Sequence, residues 1–142
     1  MKIDIPPVDD SPADTDVHFL EDRINEYNVR TTGITDGRIL SFFIRDERAE
    51  IIAGLYGWTW GGACEIRDLW VREDMRRRGY GKTLMAAAES EAISRGCALI
   101  VLDTHSFQAP AFYQRLGFEI IGSHRDYPHG HLKHYLRKAL KK

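Results

Sequence analysis

Leu69-Trp70-Val71-Arg72-Glu73-Asp74-Met75-Arg76-Arg77-Arg78-Gly79-Tyr80-Gly81-Lys82-Thr83 decides how this chain is read. Its apolar start reads as a strand, its basic, glycine-punctuated middle as a tight turn, and its end as the opening of a helix. A turn of this kind presents successive backbone N–H groups and a helix N-terminus to an anion, with arginine side chains close by. Gly79 and Gly81 let the backbone approach the ligand and take φ values that a side chain would forbid. The anion that fits is a phosphate, in particular the pyrophosphate of a cofactor.

Residues 82–95 continue the stretch as an alanine-rich helix, with Leu84, Met85, Ala88 and Ala92 at helical spacing and Gly96 placed to end it. Residues 98–102 form a short continuous apolar run, which suits a strand buried on both faces. A strand over residues 64–71, this helix and that second strand make a crossover unit, which forces two parallel neighbours. Upstream, residues 38–45 and 50–60 are rich in β-branched and aromatic residues around the polar turn Asp46-Glu47-Arg48. With Gly61-Gly62 as a second tight connection, the economical reading is a three-stranded antiparallel meander. Downstream, residues 109–116 read as a short helix with Pro110 near its start and Gly117 past its end, before strands over 118–121 and 131–136. Near the N-terminus, an irregular leader over residues 1–16 precedes a helix over 17–28 that carries Phe19, Leu20, Ile24 and Tyr27 on one side. The fold expected is a mixed α/β one: a mostly antiparallel twisted sheet with one central parallel pair, flanked by helices, in a single domain over residues 1–142.

At 142 residues and 43% hydrophobic, the chain can build one sizeable core. Its 20 Lys+Arg against 21 Asp+Glu argue against a general nucleic-acid binder, so the three arginines read as a local device. No apolar run reaches the length of a membrane span and no signal-peptide pattern opens the chain, so a cytoplasmic location away from membranes is expected. Cys64 and Cys97 are too few for a disulfide framework and read as buried, reduced thiols.

Arg76-Arg77-Arg78-Gly79-Tyr80-Gly81 resembles the Arg/Gln-x-x-Gly-x-Gly/Ala signature of the GNAT superfamily of acyl-CoA-dependent N-acetyltransferases. A second block, Ala109-Pro110-Ala111-Phe112-Tyr113-Gln114-Arg115-Leu116-Gly117-Phe118, resembles that family's late helix, and the resemblance spans residues 38–138. It implies acetyl-CoA in a splay between the two parallel strands, with the Leu69 and Val71 backbone pairing with the pantetheine arm. It assigns the pyrophosphate to N–H groups from Arg77 to Lys82, so Arg76, Arg77, Arg78, Gly79, Tyr80, Gly81, Lys82 and Thr83 become cofactor-binding residues, assisted by the helix dipole. Gln108 stands where many members carry an asparagine that meets the pantetheine. The implied activity is acetyl transfer from acetyl-CoA to a primary amine, by direct attack through a tetrahedral intermediate.

That chemistry needs a neutral amine, a stabilised carbonyl oxygen and a proton for the leaving thiolate. A backbone N–H in the opened strand near residues 69–71 is the natural oxyanion donor. Tyr113 matches the family tyrosine near the thioester sulfur and is the expected general acid. Glu65 is the leading general base, with Asp68 as its competitor and a water relay also open. The odd separation of Glu65 and Asp68 puts them on opposite faces of a regular strand, a parity that a bulge would reverse. His124, His129, His131 and His134 show no recognisable metal-ligand spacing, so no metal is expected. His105 could face the acceptor site. Trp58, Trp60 and Trp70 read as core or sheet-face residues, although Trp58 and Trp60 share strand parity and could line a groove.

Gly81-Lys82-Thr83 ends like a P-loop, but Arg76 stands where the Walker pattern needs its first glycine. A catalytically silent acetyl-CoA sensor is the rival that the same residues allow. The acceptor, from small amines to peptide termini and lysines, stays open, and a homodimer is what the resemblance leads one to expect.

Overall fold

A computed structural model describes residues 3–141. Residues 1, 2 and 142 of the expected domain lie outside the described residues. Contacts gather into two compact units, one ending at Thr35 and the other beginning at Asp36.

The first unit carries helix α1, Asp14–Thr32. Asp14 and Asp16 in its first turn suit the positive end of the helix dipole. Gly33, at φ 73°, ends it by donating its N–H to the Val29 carbonyl at 2.7 Å. These end signals make α1 longer than its apolar spacing alone indicates.

The second unit holds the sheet and two helices, in the order β1 (Arg38–Arg45), β2 (Ile51–Trp60), β3 (Ala63–Val71), α2 (Tyr80–Ser94), β4 (Leu99–His105), α3 (Pro110–Arg115), β5 (Glu119–Arg125) and β6 (Leu132–Ala139). A 3-10 turn, Glu73–Met75, lies between β3 and α2. The six strands form one sheet in the order β1-β2-β3-β4-β6-β5, a mixed α/β fold. The meander β1-β2-β3 is antiparallel and β3-β4 is the parallel pair that the crossover through α2 requires.

Leu84, Met85, Ala88 and Ala92 form the buried face of α2. They share one core with Leu40, Leu55, Cys64, Ile66, Ile100, Leu102 and Leu136 from the sheet and Tyr113 from α3. Small side chains at Ala88 and Ala92, both fully buried, let the helix lie close on the sheet. Arg95 fastens the helix end: Nε meets Glu91 at 3.0 Å, while Nη1 donates to the Ile39 carbonyl and the Thr59 hydroxyl, each at 3.1 Å.

Three strands, β4, β5 and β6, run further than their apolar patterns indicate, β6 ending at Ala139. β4 reaches His105 and β5 reaches Arg125 because β6 pairs with both, from Leu99↔Ala139 to His105↔Lys133 and from Glu119↔Arg137 to Arg125↔Leu132. Every residue of β5 is exposed, so its ladder and not burial holds it in place.

Candidate active site

The parallel pair is joined only at Ala63↔Leu99, Cys64↔Ile100 and Glu65↔Val101. Both strands then continue unpaired to each other, β3 to Val71 and β4 to His105. Backbone amides of each strand therefore face a gap in the middle of the sheet, where an extended ligand bearing amides of its own can bond. Leu69 and Val71 turn their side chains toward the core, and Trp70 between them is exposed.

The basic turn closes one end of β3. Arg72 anchors its entry, with the backbone N–H bonded to the Ile52 carbonyl at 2.8 Å and the guanidinium on both carboxylate oxygens of Asp74 at 2.6 and 3.1 Å. That contact holds the Asp74 carboxyl below its usual range. The Arg76 guanidinium donates through Nε to the Val71 carbonyl at 3.1 Å, so this side chain braces the strand end. Arg77 has φ 65° and Gly79, the N-cap of α2, has φ 84°. Left-handed residues alternating along a turn aim successive N–H groups at one point, an anion-binding nest that continues into the first turn of α2. Arg77, Arg78, Lys82 and Thr83 are exposed around it. A Cβ on Gly79 would meet nothing within 4 Å, so the glycine is there for its backbone angle; one on Gly81 would press within 3.3 Å of the Phe112 ring.

β3 is bulged at Arg67. Tyr56 pairs with Asp68 and the next β2 residue, Gly57, pairs with Ile66, leaving Arg67 without a partner. Glu65, opposite Trp58, and Asp68, opposite Tyr56, therefore share one face of the sheet. Gly57 makes the bulge possible, because a Cβ there would collide with the Glu65 carbonyl oxygen. Both carboxylates are exposed, on the face away from α2 and at the start of the gap.

On α3, Tyr113 is buried between Phe112 and Phe118, with ring centroids at 5.1 and 5.9 Å. Burial, reinforced by the negative Asp103, pushes its phenol up to about 12. A phenol in that state holds its proton at neutral pH. Gln108 lies in the turn before α3. Its side-chain oxygen accepts from the His105 N–H at 2.7 Å and the Thr104 hydroxyl at 3.3 Å. The oxygen is thus engaged within the turn, and the amide –NH2 is the end left to meet a ligand.

Among the described residues no three His, Cys, Asp or Glu groups are placed to hold a metal ion. His134 meets the Ser123 hydroxyl at 2.6 Å, and His124 packs edge-on against Tyr135. His105 lies on the same sheet face as Glu65, since Glu65 pairs with Val101 and β4 alternates from there. Trp58 and Trp60 are half-buried on that face and Trp70 is 49% exposed. Sequence reading named a bulge between Glu65 and Asp68 as the alternative to a regular strand without placing it, and Gly57 inside a strand pattern was the available signal for it. It missed two features: Asp103 beside the tyrosine and an aromatic cluster around His105.

An opened parallel pair ending in an anion nest is the site of a protein that takes an extended, phosphate-bearing ligand. Comparison with known proteins makes the family plain. The family model described as Acetyltransferase (GNAT) family matches residues 8–118. The chain is 37% identical over 119 residues to a blasticidin-S acetyltransferase of Streptomyces morookaense, covering 79% of this chain and 85% of that protein. It is 38% identical over 104 residues to an acetyltransferase of Agrobacterium fabrum, covering 73% and 76%. A crystal structure of a candidate acetyltransferase from Agrobacterium tumefaciens superimposes with a TM-score of 0.85 at 32% identity, over 99% of this chain and 100% of that one. The chain belongs to the GNAT acetyltransferase family and is an acetyl-CoA-dependent acetyltransferase.

Proposed function

We propose that this enzyme moves the acetyl group of acetyl-CoA to the primary amine of a small molecule by direct attack, with no covalent enzyme intermediate. The observation that carries the reading is the early end of the β3–β4 pairing, beside the nest at Arg77 and Gly79. The ligand fits what is there: strand amides for a pantetheine arm, and N–H groups at the start of α2 for a pyrophosphate. Bound acetyl-CoA would supply a thioester to whose carbonyl carbon the amine nitrogen adds before the C–S bond breaks and the thiolate leaves with a proton.

In this reading the backbone of Leu69 and Val71 aligns the pantetheine and offers an N–H to the thioester oxygen as charge develops there. Residues Arg77 to Thr83 hold the pyrophosphate, Arg76 fixes the end of β3 beside it, and the Gln108 amide donates to the pantetheine. Glu65 takes the proton from the attacking amine, with Asp68 on the same face as the alternative acceptor. Tyr113, protonated because burial and Asp103 hold its pKa high, gives its proton to the departing sulfur. Neither cysteine takes part, since both are buried and the Cys64 thiol is pushed up to about 11.

The named activity of the Streptomyces relative supports a small-molecule acceptor. The same reading puts the enzyme in the cytoplasm as a homodimer; light scattering on the purified protein checks the dimer. The deciding experiment follows thiol release from acetyl-CoA with blasticidin S, 2-phenylethylamine, hexylamine and a lysine peptide. Turnover of a small amine is expected. Tight acetyl-CoA binding with no turnover of any of them would make the protein a sensor instead.

A further inference from the structure

We propose that His105, Phe107 and Tyr127 form an aromatic platform at the mouth of the strand opening, selecting acceptor amines that carry a planar unsaturated group. The inference rests on the acetyl-transfer reading and names the acceptor class for that site. His105 is the last residue of β4, beyond the point where β4 stops pairing with β3, and on the same sheet face as Glu65. Phe107 stacks on its ring at 5.2 Å with an interplanar angle of 6°, and Tyr127 stacks on it at 5.6 Å and 29°. The His105 ring nitrogen Nδ1 also lies 3.0 Å from the Tyr127 carbonyl oxygen, tying the strand end to the β5–β6 loop.

The stack has no part in the core. Phe107 is 56% exposed and Tyr127 52%, an unusual state for two large aromatic rings ordered against the same histidine. Nothing in the proton transfers at Glu65 and Tyr113 calls for them. A near-parallel pair with an exposed outer ring is a surface that another flat π system extends, by offset stacking and by the area it covers.

The patch also receives positive charge. The Lys133 ammonium lies 4.7 Å from the centre of the Tyr127 ring and 5.5 Å from that of Tyr135, and 3.8 Å from Asp103. Lys133 thus takes up the Tyr127 ring and the Asp103 carboxylate, which leaves Phe107 as the ring to receive a flat group and favours the acceptor amine in the neutral form that attack needs. Asp103 lies two residues before His105 on β4, so the platform, Asp103 and Glu65 share a face.

The test compares 2-phenylethylamine with hexylamine, similar in length and different in the ring, in the wild type, Phe107→Ala and Phe107→Tyr. Turnover by thiol release and Kd by calorimetry are both read. The wild type is expected to favour 2-phenylethylamine. Phe107→Ala is expected to lower kcat/KM for it about tenfold more than for hexylamine, and Phe107→Tyr to restore the preference. Turnover with no ring preference, or an equal loss for both amines, would overturn the platform and leave the transfer reading standing. Ring-selective binding lost in Phe107→Ala, with no turnover of any amine, would uphold the platform and overturn the transfer reading alone. A thermal melt of Phe107→Ala separates loss of recognition from loss of fold.

Discussion

Glu65 and Asp68 lie on the same face of β3, because Arg67 between them is bulged out of the ladder. Two carboxylates three residues apart on a regular strand would point to opposite sides of the sheet. The bulge gives that face two candidate bases, one opposite Trp58 and one opposite Tyr56.

Replacing Glu65 with Gln keeps the side chain's shape and removes the base. Glu65→Gln is expected to lower kcat/KM about 100-fold, and Asp68→Asn considerably less. A pH profile of kcat/KM checks the assignment, since the acid limb belongs to the residue that must be ionised. If Asp68→Asn removes that limb and Glu65→Gln does not, the roles are reversed.

Gly57→Ala addresses the bulge itself. Its Cβ would collide with the Glu65 carbonyl oxygen, so either β2 or β3 must shift. The expected result is a melting temperature lower by several degrees together with loss of turnover. A variant that is unchanged in both would contradict the close approach.

Tyr113→Phe removes a proton donor and keeps the ring among Phe112 and Phe118. Turnover is expected to fall ~100-fold with little change in acetyl-CoA affinity. Asp103→Asn removes a negative charge that helps raise the phenol, so an ultraviolet titration should show Tyr113 ionising at lower pH than in the wild type.

Two buried groups tie stability to alkaline pH. Burial raises Cys64 from 9.0 to about 11, with Cys97 adding to it, and raises Tyr113 from 10.0 to about 12. Both folded-state values lie above their unfolded ones, so folding favours the protonated forms. Their contribution is complete below pH 9 and is lost as pH rises toward 12. Melting temperatures measured from pH 8 upward should fall across that window, and Cys64→Ala should flatten the part between 9 and 11. A flat profile in the wild type would contradict the buried protonated thiol.

Much of this architecture can be read from the residues. The meander, the crossover helix with Leu84, Met85, Ala88 and Ala92, and the glycine turn after Val71 each carry a local signal of period or turn chemistry. β5 carries one only over residues 119–121; its continuation to Arg125 is exposed and defined by its ladder with β6 alone. The bulge depends on the register of two strands, which neither strand specifies alone, and Gly57 was its single trace. The His105–Tyr127 stack joins residues 22 apart in sequence across a loop, a tertiary event with no local pattern. Gln108 was legible in place but not in orientation, because its oxygen turns back to the His105 N–H.

The central claim is that the opened strands and the nest at Arg77–Gly79 hold acetyl-CoA. Calorimetric titration of the wild type and Gly81→Val with acetyl-CoA, beside ATP, tests it most directly. The account predicts saturable acetyl-CoA binding by the wild type and no ATP binding. In Gly81→Val, where the added side chain presses toward Phe112, affinity should fall about tenfold or more. Failure of the wild type to bind acetyl-CoA, or undiminished affinity in Gly81→Val, would contradict it.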